Sequence, residues 1–290
     1  MSAFASKGFN AGAYLALRPK YNEKLMNWIV SYHSGPQNTA VDVACGPGTF
    51  TVDLAAKFKL SIGLDPSPSM IHSAQEHAQA QNISNVEFKQ GFGESLPFES
   101  DSVDLITVMQ GAHWFKIDQF LDEALRVLRP GGTLAMVGYD YPEIADWPKA
   151  MNGRDFARKL ATDNDLLCRY WDSGFKLIGQ AYGPYAKSIM QQQKFKDVCH
   201  VCYPKELLNV NPDMSILPEP WIDSKSTSLD TFREYLKTWS AYKKWKDENP
   251  ATADIIDNYF DSAQAQHSLT GQETAQIEWS HFAIVARKPK

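Results

Sequence analysis

In the stretch AVDVACGPGTF, residues 40–50, an apolar run carrying Asp42 ends in Gly46 and Gly48. Glycines at that place let the backbone come close to a ligand. A dinucleotide fingerprint needs a glycine or alanine three places after the second glycine, but Thr51 stands there. A carboxylate inside the strand also repels a pyrophosphate. Asp65 lies 19 positions after Gly46, at the end of the next apolar run. That is close to the spacing of a carboxylate that binds ribose hydroxyls.

The pattern therefore favours a nucleoside with a positive centre over one with phosphates. S-adenosylmethionine, in which adenosine meets a sulfonium and an ammonium, fits that description. On this reading Asp42 favours the cation and the turn at Ala44, Gly46 and Gly48 admits the methionyl portion. Asp65 takes the ribose, and the cap of the following helix falls to Ser67 or Ser69.

The elements that must position these residues follow a rhythm. Short apolar runs at 40–44, 60–64 and 103–108 alternate with helical stretches near 48–58, 68–81 and 116–128, with a weaker strand at 86–88 and another at 133–138. Strands alternating with helices predict a parallel sheet covered on both faces. Leu25, Trp28, Ile29 and Tyr32 mark an earlier amphipathic helix. After residue 140 the rhythm breaks. Strand-like segments return at 196–203 and 277–287, and helices are expected near 229–247 and 251–266. The expected organisation is one domain: an N-terminal segment 1–35, a core 36–140, cap insertions 141–195 and 204–272, and two final sheet strands.

Bulk properties narrow the partners. The chain has 290 residues, 43% apolar and 22% charged, with a net charge of −5. A general basic footprint for nucleic acid is missing. No apolar run approaches the roughly 18 residues that span a bilayer, and the N-terminus shows no secretory or transit character. A cytoplasmic protein without membrane partners is expected, as a monomer or weak homodimer. Cys199 and Cys202 form a lone C-x-x-C without a second ligand pair in the sequence, which reads as ordinary buried thiols with no metal.

VDVACGPGTFT, IGLDPSPSM, GFGESLPFESDSVDLI and ALRVLRPGGTL stand in order over about 40–139. Together they resemble the class I S-adenosylmethionine-dependent methyltransferases. QGAHWF at 110–115, LKTWSAYKKWK at 236–246 and FNAGAYLALRPKY near the start are similar to the fungal trans-aconitate methyltransferases. The resemblance implies a Rossmann-like α/β fold, with a seven-stranded, mostly parallel sheet whose last strand is antiparallel, and helical caps.

It also implies site residues. Tyr14 and Arg18 would fold over the cofactor, with Pro66, Met70, Gly93 and Gln110 near it. Family members usually carry an aspartate for the adenine amine where this chain has Phe92. Adenine is then expected between apolar groups such as Pro66 and Phe92, with Glu94 a weaker acceptor. His113 and Trp114 would position the acceptor, at the carboxyl end of a strand where ligands of such sheets gather. Tyr139, Tyr170, Trp171, Lys176, Arg233, Trp239 and Tyr242 are further acceptor candidates.

The implied reaction is O-methylation of a small organic acid, which needs no base because a carboxylate is already ionised near neutral pH. The alternatives are C- or N-methylation of an apolar metabolite, or a non-catalytic S-adenosylmethionine-binding regulator.

Overall fold

The computed structural model describes residues 17–19, 21, 23–147, 153–202, 206–209 (backbone), 222–267 and 270–290. They form two compact units. The described residues between 20 and 140, between 176 and 209 and from 281 to 290 make one; those at 17–19, between 141 and 175 and between 222 and 280 make the other.

The first unit is built on a sheet. Its strands are β1 (Thr39–Val43), β2 (Leu60–Asp65), β3 (Val86–Gln90), β4 (Val103–Met109), β5 (Leu128–Tyr139), β7 (Lys196–Cys202) and β8 (Glu206–Asn209), joined by the second half of β10 (Thr274–Arg287). The order is β3-β2-β1-β4-β5-β10-β7-β8. Strands β1 to β5 run parallel, whereas β10 is antiparallel to both β5 and β7. These are the seven expected strands with short β8 added at the edge. Every residue of β4 is buried, as a parallel strand covered on both faces requires. The sheet order reverses about β1, so the loops after β1 and β4 flank the point where open α/β sheets bind ligands.

Helices α1 (Glu23–His33), α2 (Thr49–Ala55), α3 (Pro68–Ala80), α4 (Ile117–Val127) and α6 (Gly183–Gln192) belong to this unit. Helix α4 buries Phe120, Leu121, Ala124 and Val127, one face at helical spacing. Each large apolar side chain so buried contributes about 1.5–3 kcal/mol. Ser67 caps α3 and Pro68 opens it, the arrangement that suits a helix start. Residues 176–195 fall in the same compact unit as the sheet. Cys199 and Cys202 sit three apart on β7 and therefore point to opposite faces; among the described residues no group of His, Cys, Asp and Glu could hold a metal.

The second unit, expected from the sequence to be a cap, contains β6 (Glu143–Ile144), α5 (Gly153–Thr162), β9 (Ile222–Ser228), α7 (Leu229–Leu236), α8 (Ser240–Glu248), α9 (Ile255–His267) and the first half of β10. Strand β9 pairs with β10 from Ile222↔Ser280 to Ser228↔Thr274. A single helix over 229–247 was expected; the chain instead breaks at Trp239, which is extended. Thr238 causes this locally: its hydroxyl donates back to the Tyr235 carbonyl at 2.6 Å, and its own carbonyl accepts from Arg18 at 3.1 Å. Both bonds compete with continued helix pairing.

Candidate functional site

The loop after β1 makes a tight turn in which Ala44, Gly46 and Gly48 all take positive φ. The two glycines do different things. A Cβ on Gly46 would meet nothing within 4 Å, so this backbone borders open space. A Cβ on Gly48 would lie 2.7 Å from both Ala74 and the Phe88 ring. Gly48 is therefore a packing glycine between α3 and β3, not the ligand-facing residue the sequence suggested.

Asp42 needs a similar correction. It is 1% exposed, and its two oxygens accept from Thr51 Oγ1 at 2.7 Å and Thr107 Oγ1 at 2.8 Å. Burial outweighs those donors and pushes its carboxyl up to about 7. It braces the turn from below by tying β1 to α2 and β4; direct contact with a ligand cation is not its arrangement. Thr51, which breaks the dinucleotide pattern, is one of its partners.

Asp65 closes the turn from β2. Its Oδ2 accepts the Gly46 N–H at 3.0 Å and its Oδ1 the Ser67 N–H at 2.8 Å. Burial raises its pKa, opposed by those two amides. Each oxygen retains a lone pair, so two ribose hydroxyls can still be accepted. Pro66 follows, half-buried, its carbonyl held by Gln90 Nε2 at 2.9 Å, a brace that no sequence signal marked. Met70 is 3% exposed and belongs to the core of α3, which removes it from the ligand surface.

At the end of β3, Phe92 is the one exposed large hydrophobic side chain among the described residues, at 60%. An exposed aromatic face beside a glycine turn suits a flat heterocycle. Gly93 lets Phe115 and Phe120 approach, since a Cβ there would lie 3.1 Å and 3.2 Å from them. Glu94 accepts the Lys116 N–H at the start of α4, at 2.8 Å, which commits that oxygen to the helix entry.

Beyond β4 the side chain of Gln110 is also committed. It accepts from the Tyr139 N–H at 2.7 Å and donates to the Tyr139 carbonyl at 3.2 Å, clamping the ends of β4 and β5 together. Its side chain acts as a strand clamp. Gly111 then passes so close to Ala44 that a Cβ would come within 2.6 Å of it. His113 is 8% exposed, with Nδ1 3.0 Å from the Tyr182 hydroxyl and its ring beside Trp114. Tyr139 is buried among the rings of Tyr21 and His281.

Within the second unit, Trp171 stacks on Phe175 at 3.4 Å and lies 5.4 Å from Trp239, whose ring neighbours Tyr141 and Tyr235. Arg158 stands over Tyr141 at 5.2 Å and Arg18 over Tyr235 at 5.4 Å. Tyr170 receives Asn249 Nδ2 at 3.4 Å.

Two acceptor candidates fail here. Arg233 is only 16% exposed and pairs with Asp230, Asp257 and Asp261, so its charge is already neutralised. Tyr242 donates to Asp254, and burial pushes its phenol pKa up. Lys176 is exposed on the 3-10 segment Ser173–Gln180, and Tyr14 lies outside the described residues.

A parallel sheet with a glycine turn after its first strand, a carboxylate after its second and an aromatic face after its third defines a class I nucleoside-binding methyltransferase architecture. A methyltransferase-domain family model matches residues 41–136. A methyltransferase-like protein of Dictyostelium discoideum is 30% identical over 230 residues, 79% of this chain and 74% of the relative. A Saccharomyces cerevisiae protein described as an S-adenosylmethionine-dependent methyltransferase, CRG1, is 27% identical over 290 residues, 99% of this chain and 98% of the relative. The chain belongs to the methyltransferase family.

A solved type II methyltransferase structure from Anaeromyxobacter dehalogenans shares the fold, with a TM-score of 0.66 at 23% identity over 94% of this chain and 98% of that one. The cofactor of this family is S-adenosylmethionine, and the open turn at Gly46, the Asp65 lone pairs and the exposed Phe92 ring fit it. Among the described residues no helix is long and apolar enough to cross a membrane.

Proposed function

We propose that the chain methylates a carboxylate oxygen of a small organic acid, giving a methyl ester. The observation that carries this reading is the similarity of QGAHWF, which sets His113 just after β4, to the trans-aconitate methyltransferases. The similarity of LKTWSAYKKWK to the same group supports the same choice.

Bound S-adenosylmethionine supplies an electrophilic methyl group and keeps the bond pair on sulfur. The chain's residues supply alignment. Gly46 would border the methionyl portion, Asp65 would accept the ribose hydroxyls, and Phe92 with Pro66 would cover adenine. The attacking carboxylate would be left ungripped and nucleophilic. His113 would orient the acceptor. Fixed alignment of this kind can lower a barrier by several kcal/mol without any proton transfer.

His113→Ala tests the reading. The KM for a di- or tricarboxylic acid should rise about tenfold or more while cofactor affinity stays the same. An unchanged KM for every acid that the parent methylates would remove the histidine from acceptor binding.

A further inference from the structure

Ala181 and Tyr182 both take positive φ, 48° and 57°, a region that costs an ordinary residue about 1–2 kcal/mol. Surrounding contacts hold the turn. His200 of β7 donates through Nε2 to the Ala181 carbonyl at 2.6 Å. The Tyr182 ring stands edge-on to Phe282 at 4.9 Å, and Phe282 fills space over Gly138, where a Cβ would come within 2.3 Å of the ring. The outcome is a fully buried phenol whose oxygen lies 3.0 Å from His113 Nδ1.

The direction of that bond follows from the burial of the hydroxyl. Among the described residues, His113 Nδ1 is the hydrogen-bond partner of the phenol oxygen. If Nδ1 donated, the phenolic hydrogen would be buried without an acceptor, so the O–H donates to Nδ1. A neutral imidazole that accepts at Nδ1 carries its proton on Nε2. Protonating the ring would take that acceptor away from a buried O–H.

We infer that Tyr182 is a positioning residue that fixes His113 as the Nε2–H tautomer, so that His113 meets the acceptor acid as a hydrogen-bond donor and not as a base. The donor role rests on the acceptor reading above; the tautomer does not.

Two-bond nitrogen–proton NMR of the full chain, labelled at its histidine rings and assigned with His113→Gln, reads the tautomer without any substrate. The parent should show a neutral Nε2–H pattern for His113 over about pH 6–8, and Tyr182→Phe should lose that fixed pattern. Tyr182→Phe should also raise the KM for the acid about fivefold or more with cofactor affinity unchanged. Of the two amide replacements, His113→Gln can place an N–H where Nε2–H stood, so it should lose less acceptor binding than His113→Asn. An Nδ1–H or imidazolium pattern in the parent, or a Tyr182→Phe spectrum like the parent's, overturns the tautomer assignment. The expected spectra with His113→Gln and His113→Asn equally impaired overturn the donor role alone.

Discussion

Asp65 and Gly46 are latched to each other: the carboxylate Oδ2 accepts the glycine N–H at 3.0 Å. One residue thereby fixes the ligand-facing turn and keeps lone pairs for a ribose. Asp65→Ala should cost about 2–4 kcal/mol of S-adenosylmethionine affinity, since it removes the ribose acceptor and frees the turn together. Titration calorimetry reads this directly. Parent-like affinity in a folded variant would take Asp65 out of the site.

Gly46 and Gly48 should respond differently to alanine. At Gly48 the new methyl group meets Ala74 and Phe88, in a backbone that already disfavours it. Overpacking of that kind destabilises by about 1–3 kcal/mol, with roughly 1–2 more for the left-handed backbone. At Gly46 only the backbone cost applies, and the loss should appear in cofactor binding. Thermal melts with and without S-adenosylmethionine separate the two. Equal loss of stability in both variants would contradict the division of labour.

In the proposed site Phe92 would offer adenine a ring face in place of a side-chain acceptor. Phe92→Ala should weaken cofactor binding, while Phe92→Asp could keep part of it through the exocyclic amine. Calorimetry on both variants decides; if each binds like the parent, adenine does not rest on this residue.

Asp42 gives the fold a pH dependence. Its folded-state pKa, about 7, lies above the ordinary carboxylate value near 3.8. The folded state then binds the extra proton between those values, so the contribution is complete below about pH 4 and declines as pH rises through 7. The decline amounts to roughly 4 kcal/mol. Asp42→Asn has no such titration, so the parent's stability relative to the variant should fall from pH 4 to pH 8. A constant difference across that range in denaturant melts would show that Asp42 is ionised throughout.

What the sequence carried clearly was the βα rhythm, because β1, β2 and β4 are short, mostly apolar runs and α4 keeps a helical face. Strand β9, IDSKSTS, carries no alternation; its partner is the first half of β10, far along the chain. The candidate site is most legible where residue type and spacing alone nominate a residue, as with Asp65 and Phe92. It was obscure where a partner decides. Arg233 looked like a spare cation until Asp257 and Asp261 came beside it, and Gln110 looked like a ligand until it clamped Tyr139. Tyr182 gave no signal, since its role depends on a turn that brings it to His113 across 69 positions.

The most direct measurement is mass spectrometry of the product formed from methyl-labelled S-adenosylmethionine and a panel of small di- and tricarboxylic acids, phenols and amines. The account predicts a labelled methyl ester on a carboxylate oxygen of an acid, cleaved by mild alkali to return the free acid. A label found only on carbon, nitrogen or a phenol, with no ester from any acid tested, would contradict it.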